Sequence, residues 1–334
     1  MSFQPMFCPH SDCPSHSGSP FRFRPRGSFL RGCDQRSVPR FLCLCCSRGF
    51  SEQTFRLDYR LKRPQLLSRF FLDRVSKVTH RQSARNHCCS RSTEERHFRR
   101  LSEHCEAFHD AKLAEVAARG GLGEVFLLDE LETYEQHRIQ KPVTVPILIE
   151  RKSEFVLDVR VGTLPARVGP GKARKRRPTC SLEPESERKS ESRQVVKAAF
   201  ERLREVSPKD RVLRVLTDQK PSYAPLLQEI FGERCLHQRT PSTDRRDVRN
   251  PLWRINHTLA RVRDNVSRLV RRTWATAKQR RWLAGQLAIW ICYRNYIRGR
   301  TNRQPKVTPA MALGVQQQPW NVPDLLQWRV FPWN

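Results

Sequence analysis

The chain of 334 residues is expected to fold as an α/β protein, and three observations carry that expectation. Four apolar, β-branched-rich runs of strand length, at 124–131, 143–150, 154–161 and 211–217, alternate with amphipathic stretches. Two of these runs carry an aspartate at their inner end, Asp129 in VFLLDE and Asp218 in VLRVLTD. An arginine-rich helix follows the second. Paired carboxylates beside a phosphate-attracting surface suit metal-assisted phosphoryl transfer.

Composition narrows the partners. Lys and Arg total 63 against 33 Asp and Glu, a formal net charge of +30. A field of that size holds a polyanion in a salt-dependent way, and nucleic acid is the leading candidate. A membrane is a weaker one, because the most apolar stretch, LAGQLAIWICY at 283–293, is too short to span a bilayer. No secretory leader pattern opens the chain, so a cytoplasmic location is expected. Twelve cysteines in that setting read as metal ligands and free thiols.

Residues 1–60 are expected to form a zinc ribbon. Cys8 and Cys13 make a C-x4-C knuckle, Cys43 and Cys46 a C-x2-C knuckle, and four thiolates from two knuckles can close a tetrahedral Zn²⁺ site. Such a Pro- and Arg-rich segment has little apolar surface to fold on without a metal. Cys33 and Cys45 read as ordinary thiols. Residues 61–118 are helical, LLSRFFLDRVSKV and then TEERHFRRLSEHCEAFHDAKLAEVA, the second starting near Ser92–Thr93. The pair fits a helix-turn-helix or a plain helical hairpin equally well.

Residues 119–300 hold the strands. The second and third form a hairpin turning at Arg151–Ser153. A basic insertion at 167–194, with GPGKARKRRP, has almost no apolar content and is expected to be disordered. Helices follow at 194–206 and in YAPLLQEIFG, a short strand in RCLHQRT, a long helix from Ile255 to Ala277, and another from Arg280 to Arg298. The tail at 301–334 is expected to pack on the body. This order is that of an RNase H-like catalytic core, in which the first and fourth strands lie side by side and parallel. Asp129 and Asp218 would then meet and hold two Mg²⁺ (or Mn²⁺) ions.

On the long helix, Leu259, Val262, Val266, Leu269 and Val270 form an apolar stripe for docking on the sheet. Arg261, Arg263, Arg268, Arg271 and Arg272 are expected to face DNA phosphates. In the insertion, Lys172, Arg174, Lys175, Arg176 and Arg177 read as a sequence-blind phosphate contact. Trp253, Trp274, Trp282 and Trp290 read as core, with Trp253, beside the site, a candidate base-stacking platform.

Four phrases carry a family resemblance: RFLCLCCSRGFSEQTF, LLDELETYE at Asp129, VLTDQKPSY at Asp218, and INHTLARVRDNVSRLVRRTWATAK. Across nearly its whole length the chain resembles the DDE transposases of bacterial insertion sequences, most closely the insertion-sequence-one-like group. The resemblance implies binding of element ends by the ribbon, cleavage and strand transfer of DNA, and a homodimer or larger assembly on DNA in the nucleoid. It also implies a third metal-binding carboxylate directly after a leading Ile, with a basic residue seven positions on. Here Ile255 leads, Asn256 follows, and Arg263 lies seven positions later on the same helical face. An amide oxygen is a usable hard ligand without charge. Alternatively Asp247, Asp244 or Glu130 completes the site, or the chain is a catalytically impaired, transposase-derived DNA-binding protein. As a structural alternative, Asn256 caps the helix.

Overall fold

A computed structural model describes residues 3–17, 20–167, 188–241, 243–270 and 275–328. The chain divides into two compact units, Met1–Phe71 with Asn321–Asn334, and Leu72–Trp320.

The first unit is built on a three-stranded antiparallel sheet, β1 (Phe23–Leu30), β2 (Ser37–Cys43) and β3 (Gly49–Ser51), in that order. β1 bulges between Pro25 and Ser28, where Gly27 takes φ +71°, a conformation glycine adopts without steric cost. Its small core is aromatic and sulfurous: Phe41, Phe50 and Phe55 are buried with Cys8, Cys13 and Cys43. The rings meet edge to face, Phe23 on Phe41 at 5.5 Å and 85°, Phe50 on Phe55 at 5.9 Å and 78°. A helix, α1 (Leu66–Arg74), begins in this unit.

In the second unit, the polar stretch expected between two helices contains a short helix of its own, α2 (His80–Asn86), started by a Thr79–Gln82 capping box. Ser90 then caps α3 (Arg91–Ala118) by accepting from the Thr93 amide. The sequence-based division treated residues 61–118 as a separate helical segment. Instead α3 buries Phe98, Leu101, Cys105 and Phe108 and packs along a later helix of the same unit. At its N-terminus Arg91, Arg96 and Arg99 remain exposed.

The sheet of this unit comprises β4 (Val125–Tyr134), β5 (Pro142–Glu150), β6 (Val156–Val159), β7 (Gly162–Thr163), β8 (Leu213–Asp218) and β9 (Cys235–Thr240). Its order is β6-β5-β4-β8-β9, with β7 on β5. β4, β5 and β6 are mutually antiparallel, β8 runs parallel to β4, and β9 parallel to β8. β5, PVTVPILIE, is buried at every position, as a strand covered on both faces must be. One face carries α4 (Ser192–Val206) and α5 (Tyr223–Phe231). The other carries α6 (Trp253–Asn265) and α7 (Arg280–Cys292), through Leu127, Ile147, Leu216, Ile255, Leu259 and Trp290 among others. Each such fully buried side chain contributes about 1.5–3 kcal/mol. α7 runs into a π-helical turn at Tyr293–Ile297, and α8 (Pro309–Ala312) follows, while α9 (Val322–Gln327) belongs to the first unit.

The helix expected from Ile255 to Ala277 is shorter. It starts at Trp253 and ends at Asn265, because Val266 is extended (ψ 110°), the Asn265 carbonyl accepts from the Lys77 amide at 3.1 Å, and its side chain accepts from Trp290 at 3.3 Å. A brief 3₁₀ turn, Ser267–Leu269, continues the chain. Most of the insertion expected to be disordered, with Lys172, Arg174, Lys175, Arg176 and Arg177, lies outside the described residues, as do Arg271, Arg272 and Trp274. No helix among the described residues is long and apolar enough to cross a membrane.

Candidate functional site

Strand alternation decides which acids share a face. On β4, Leu127 and Leu131 pack toward α6, so Asp129 between them points the same way, while Glu130 points to the opposite face. On β8, Leu216 packs toward α6 and Asp218 follows it two residues on. The parallel register pairs Leu127 with Leu216, so each aspartate stands two residues beyond the same rung. The two carboxylates thus lie side by side at corresponding strand positions. Across from them α6 presents Asn256, and a cavity of about 40 Å³ is lined by Asp129, Asp218, Asp244, Arg246, Asn250 and Asn256. A wider opening joins it, lined also by Leu259 and Arg263. The helical spacing of Asn256 and Arg263 therefore brings both to one site.

Burial raises the Asp129 carboxyl to about 6; the neighbouring Asp218 charge adds to this, while the Glu130 amide, donating at 2.7 Å, and Arg246 oppose it. Asp218 accepts from the Lys220 amide at 3.1 Å, which fixes the turn after β8. Two carboxylates and an amide oxygen, converging on a small cavity, form a donor set of hard oxygen ligands that suits Mg²⁺ or Mn²⁺.

Asn256 does not cap α6. It lies a full turn inside the helix, its amide bonded to the Leu252 carbonyl at 3.0 Å, and Asn250 tethers the start by accepting from the Leu252 amide at 2.8 Å. Of the acids considered as substitutes, Asp244 lines the cavity. Asp247 instead accepts from the Arg249 amide at 2.9 Å and pairs with Arg245. Glu130 is committed on the α4–α5 face, where Lys220 (2.5 Å), Tyr223 (2.7 Å), Thr144 (2.5 Å) and Ser192 (2.8 Å) all donate to it. Burial pushes Glu130 up, but Lys220 and the hydroxyl donors outweigh it and hold the group below the usual carboxylate range. This network ties the segment after Asp218 to β4 directly behind Asp129.

The arginines separate into two sets. Arg263 lines the opening of the site. Arg261 does not face outward: it donates to the buried Glu154 at 2.9 Å. Arg268 is also turned inward, against His80 and the Trp282 carbonyl, and burial lowers its guanidinium to about 10. Both were expected at phosphates, and both are diverted by side chains far along the chain, Arg261 by the Glu154 carboxylate and Arg268 by the His80 ring. His80 in turn contacts Glu94, which lies 3.5 Å from Arg74. Trp253 stacks on His257 at 5.7 Å and 11° on α6, whereas Trp290 is fully buried.

In the first unit, Cys8, Cys13, Cys43 and Cys46 converge with all four sulfurs within 4.8 Å of one another. Cys8 to Cys46 is 3.7 Å and Cys13 to Cys43 is 3.9 Å. A tetrahedron of Zn–S bonds near 2.3 Å has sulfurs about 3.8 Å apart, so the cluster has the dimensions of a zinc site. Burial pushes the Cys8 thiol well up, a penalty that binding a cation as thiolate removes. These four residues can hold a metal such as zinc. Cys33 and Cys45 are exposed thiols outside the cluster.

Arg246 and Asn250 escaped the sequence reading. They sit in RRDVRN, just ahead of α6, and a polar loop leading into the helix that carries a site residue was the available signal. Comparison of the chain with protein-family models and with curated proteins finds no match.

Proposed function

We propose that the chain is a DNA transposase whose second unit is an RNase H-like core performing metal-dependent phosphodiester cleavage and strand transfer. The observation that carries this reading is the pairing of Asp129 and Asp218 at equivalent positions of adjacent parallel strands, facing Asn256 and Arg263 of α6. A first strand flanked by the second and fourth, with a fifth parallel beyond, supports the fold assignment.

When bound, Mg²⁺ or Mn²⁺ supplies Lewis acidity at the attacking and leaving oxygens. Asp129 and Asp218 would hold it from their two strands, and Asn256 would add an oxygen from the facing helix. Arg246 and Arg263 bring positive charge to the phosphate and balance the charge that develops there. Water attacks the phosphorus, the P–O3′ bond breaks, and a 3′-hydroxyl is released. That hydroxyl attacks a phosphodiester of target DNA, forming one P–O bond as another breaks. The four-cysteine cluster organises the N-terminal unit as a zinc ribbon that recognises element ends.

Strand cleavage and joining on the DNA flanking the gene, with Mg²⁺ or Mn²⁺, test this reading. Activity that Asp129→Ala and Asp218→Ala each abolish supports it. A second reading, a DNA-binding protein that occupies ends without cutting, is favoured by the uncharged Asn256. It prevails if the wild-type chain binds ends without cleaving and Asn256→Glu cleaves.

A further inference from the structure

Away from the carboxylate site, the second unit gathers surplus positive charge on Glu154. This residue ends the turn between β5 and β6 at φ +60°, a region where glycine or asparagine is the usual choice. It is 3% exposed, and its carboxylate accepts from Arg254 at 2.8 Å, Arg261 at 2.9 Å and Arg294 at 2.8 Å. Arg254 and Arg261 are seven positions apart on α6 and share a face; Arg294 lies in the π-helical turn. One negative charge thus meets three positive ones. Arg294 is 2% exposed, its Nε has no hydrogen-bond partner among the described residues, and burial, followed by repulsion from Arg261, lowers its guanidinium to about 10.

The charge continues along the chain. Arg298 and Arg300 both repel Arg261 electrostatically. Arg298 is exposed, while Arg300 donates to the Lys152 carbonyl at 2.9 Å and leaves its buried Nε without a partner among the described residues. A buried cationic excess is unfavourable unless an anion joins it. Two uncommon backbone features, a left-handed glutamate and a π-helical turn, meet at this cluster, and such features concentrate at functional sites.

We propose that the Glu154 cluster is a second phosphate-binding site, apart from the Asp129–Asp218 cavity, that takes the sugar-phosphate backbone of DNA. Glu154 fixes Arg261 and Arg294 as its floor, and Arg254, Arg298 and Arg300 supply the guanidinium forks that reach the phosphates. Arg254 lies two positions before Asn256 and on a different face of α6, so a strand held here is positioned by the helix that completes the carboxylate site. The choice of DNA as the polyanion rests on the function proposed above.

The test uses the zinc-loaded full chain and a fluorescein-labelled random-sequence duplex of about 30 base pairs, with anisotropy read between about 50 and 200 mM salt. A variant carrying Arg254→Gln, Arg298→Gln and Arg300→Gln together is expected to keep its melting temperature. Its log affinity should fall less steeply with log salt, the slope dropping by about 2 to 3. An unchanged slope, with wild type still binding, overturns this site alone. A wild-type chain that binds no duplex at any salt overturns the site and the function it rests on. If the triple variant does not fold, Arg298→Gln decides: a slope lower by about 1 supports the site, and none overturns it. Polyglutamate binding with equal affinity and equal sensitivity to the substitutions overturns it too, since the cluster would then read carboxylates.

Discussion

The cysteine cluster and the aspartate pair are both sets of atoms able to hold a metal, yet they are built on opposite principles. The cysteines offer four soft donors from two knuckles, packed among a handful of phenylalanines. The aspartates offer two hard donors on adjacent strands of a large sheet that is buried without them, and the third oxygen, from Asn256, carries no charge. A closed four-thiolate set suits a metal that holds a fold together; an open oxygen set suits a metal that meets a substrate. The fold of the first unit should therefore depend on its metal, and that of the second should not.

Removing zinc gives the largest expected effect. Chelation, or Cys43→Ser, should melt the first unit, since structural zinc supplies on the order of 10 kcal/mol in small zinc domains. Hydrogen exchange should show residues 20–60 losing protection while β4, β5 and β8 keep theirs. Equal loss in both units would erase the contrast. Next comes Asp218→Asn, expected to lower strand cleavage about a thousandfold or more. Its thermal stability should stay level or rise, because one of two crowded like charges is gone. A clear fall in melting temperature would mean the pair is structural after all.

The cysteine cluster and the aspartate pair were both legible in the sequence as candidates because each is declared locally. The knuckles show as short cysteine spacings, and the strands as apolar runs ending in Asp129 and Asp218. The parallel pairing of the first and fourth strands was expected from an RNase H-like order, and β4 and β8 are so paired. Long-range pairings were not legible. Nothing near Arg261 announces that Glu154 will claim it, and nothing near Arg268 announces His80. Asn265 looked like one more helical residue until Lys77 and Trp290 took its carbonyl and side chain. Glu130 looked like a spare ligand because it adjoins Asp129 in sequence, but strand alternation puts it on the opposite sheet face.

Smaller effects sharpen the contrast. Glu154→Gln leaves Arg294 buried without its carboxylate and should cost about 3–5 kcal/mol in the second unit, read by urea denaturation, without touching zinc content. Acid reaches the second unit through His109. This buried imidazole donates from Nε2 to the Leu157 carbonyl at 3.0 Å and accepts from the Tyr296 hydroxyl at 2.9 Å, an arrangement only the neutral ring can make. Burial lowers its pKa to about 4 from an ordinary 6.5. The folded value is depressed, so the neutral form stabilises the fold. That stability is whole above pH 6.5 and is lost as pH falls from 6.5 through 4, a change of roughly 3 kcal/mol. His109→Gln should flatten this part of the pH profile; an unaltered profile would exclude His109 as its source.

The contrast between the two sites is tested most directly by Mn²⁺ binding to the zinc-loaded chain, followed by electron paramagnetic resonance. Wild type should bind Mn²⁺ while retaining its zinc, and the Asp129→Asn, Asp218→Asn double variant should retain zinc with an unchanged melting temperature yet lose Mn²⁺ binding. Equal Mn²⁺ binding by wild type and the double variant would contradict the account.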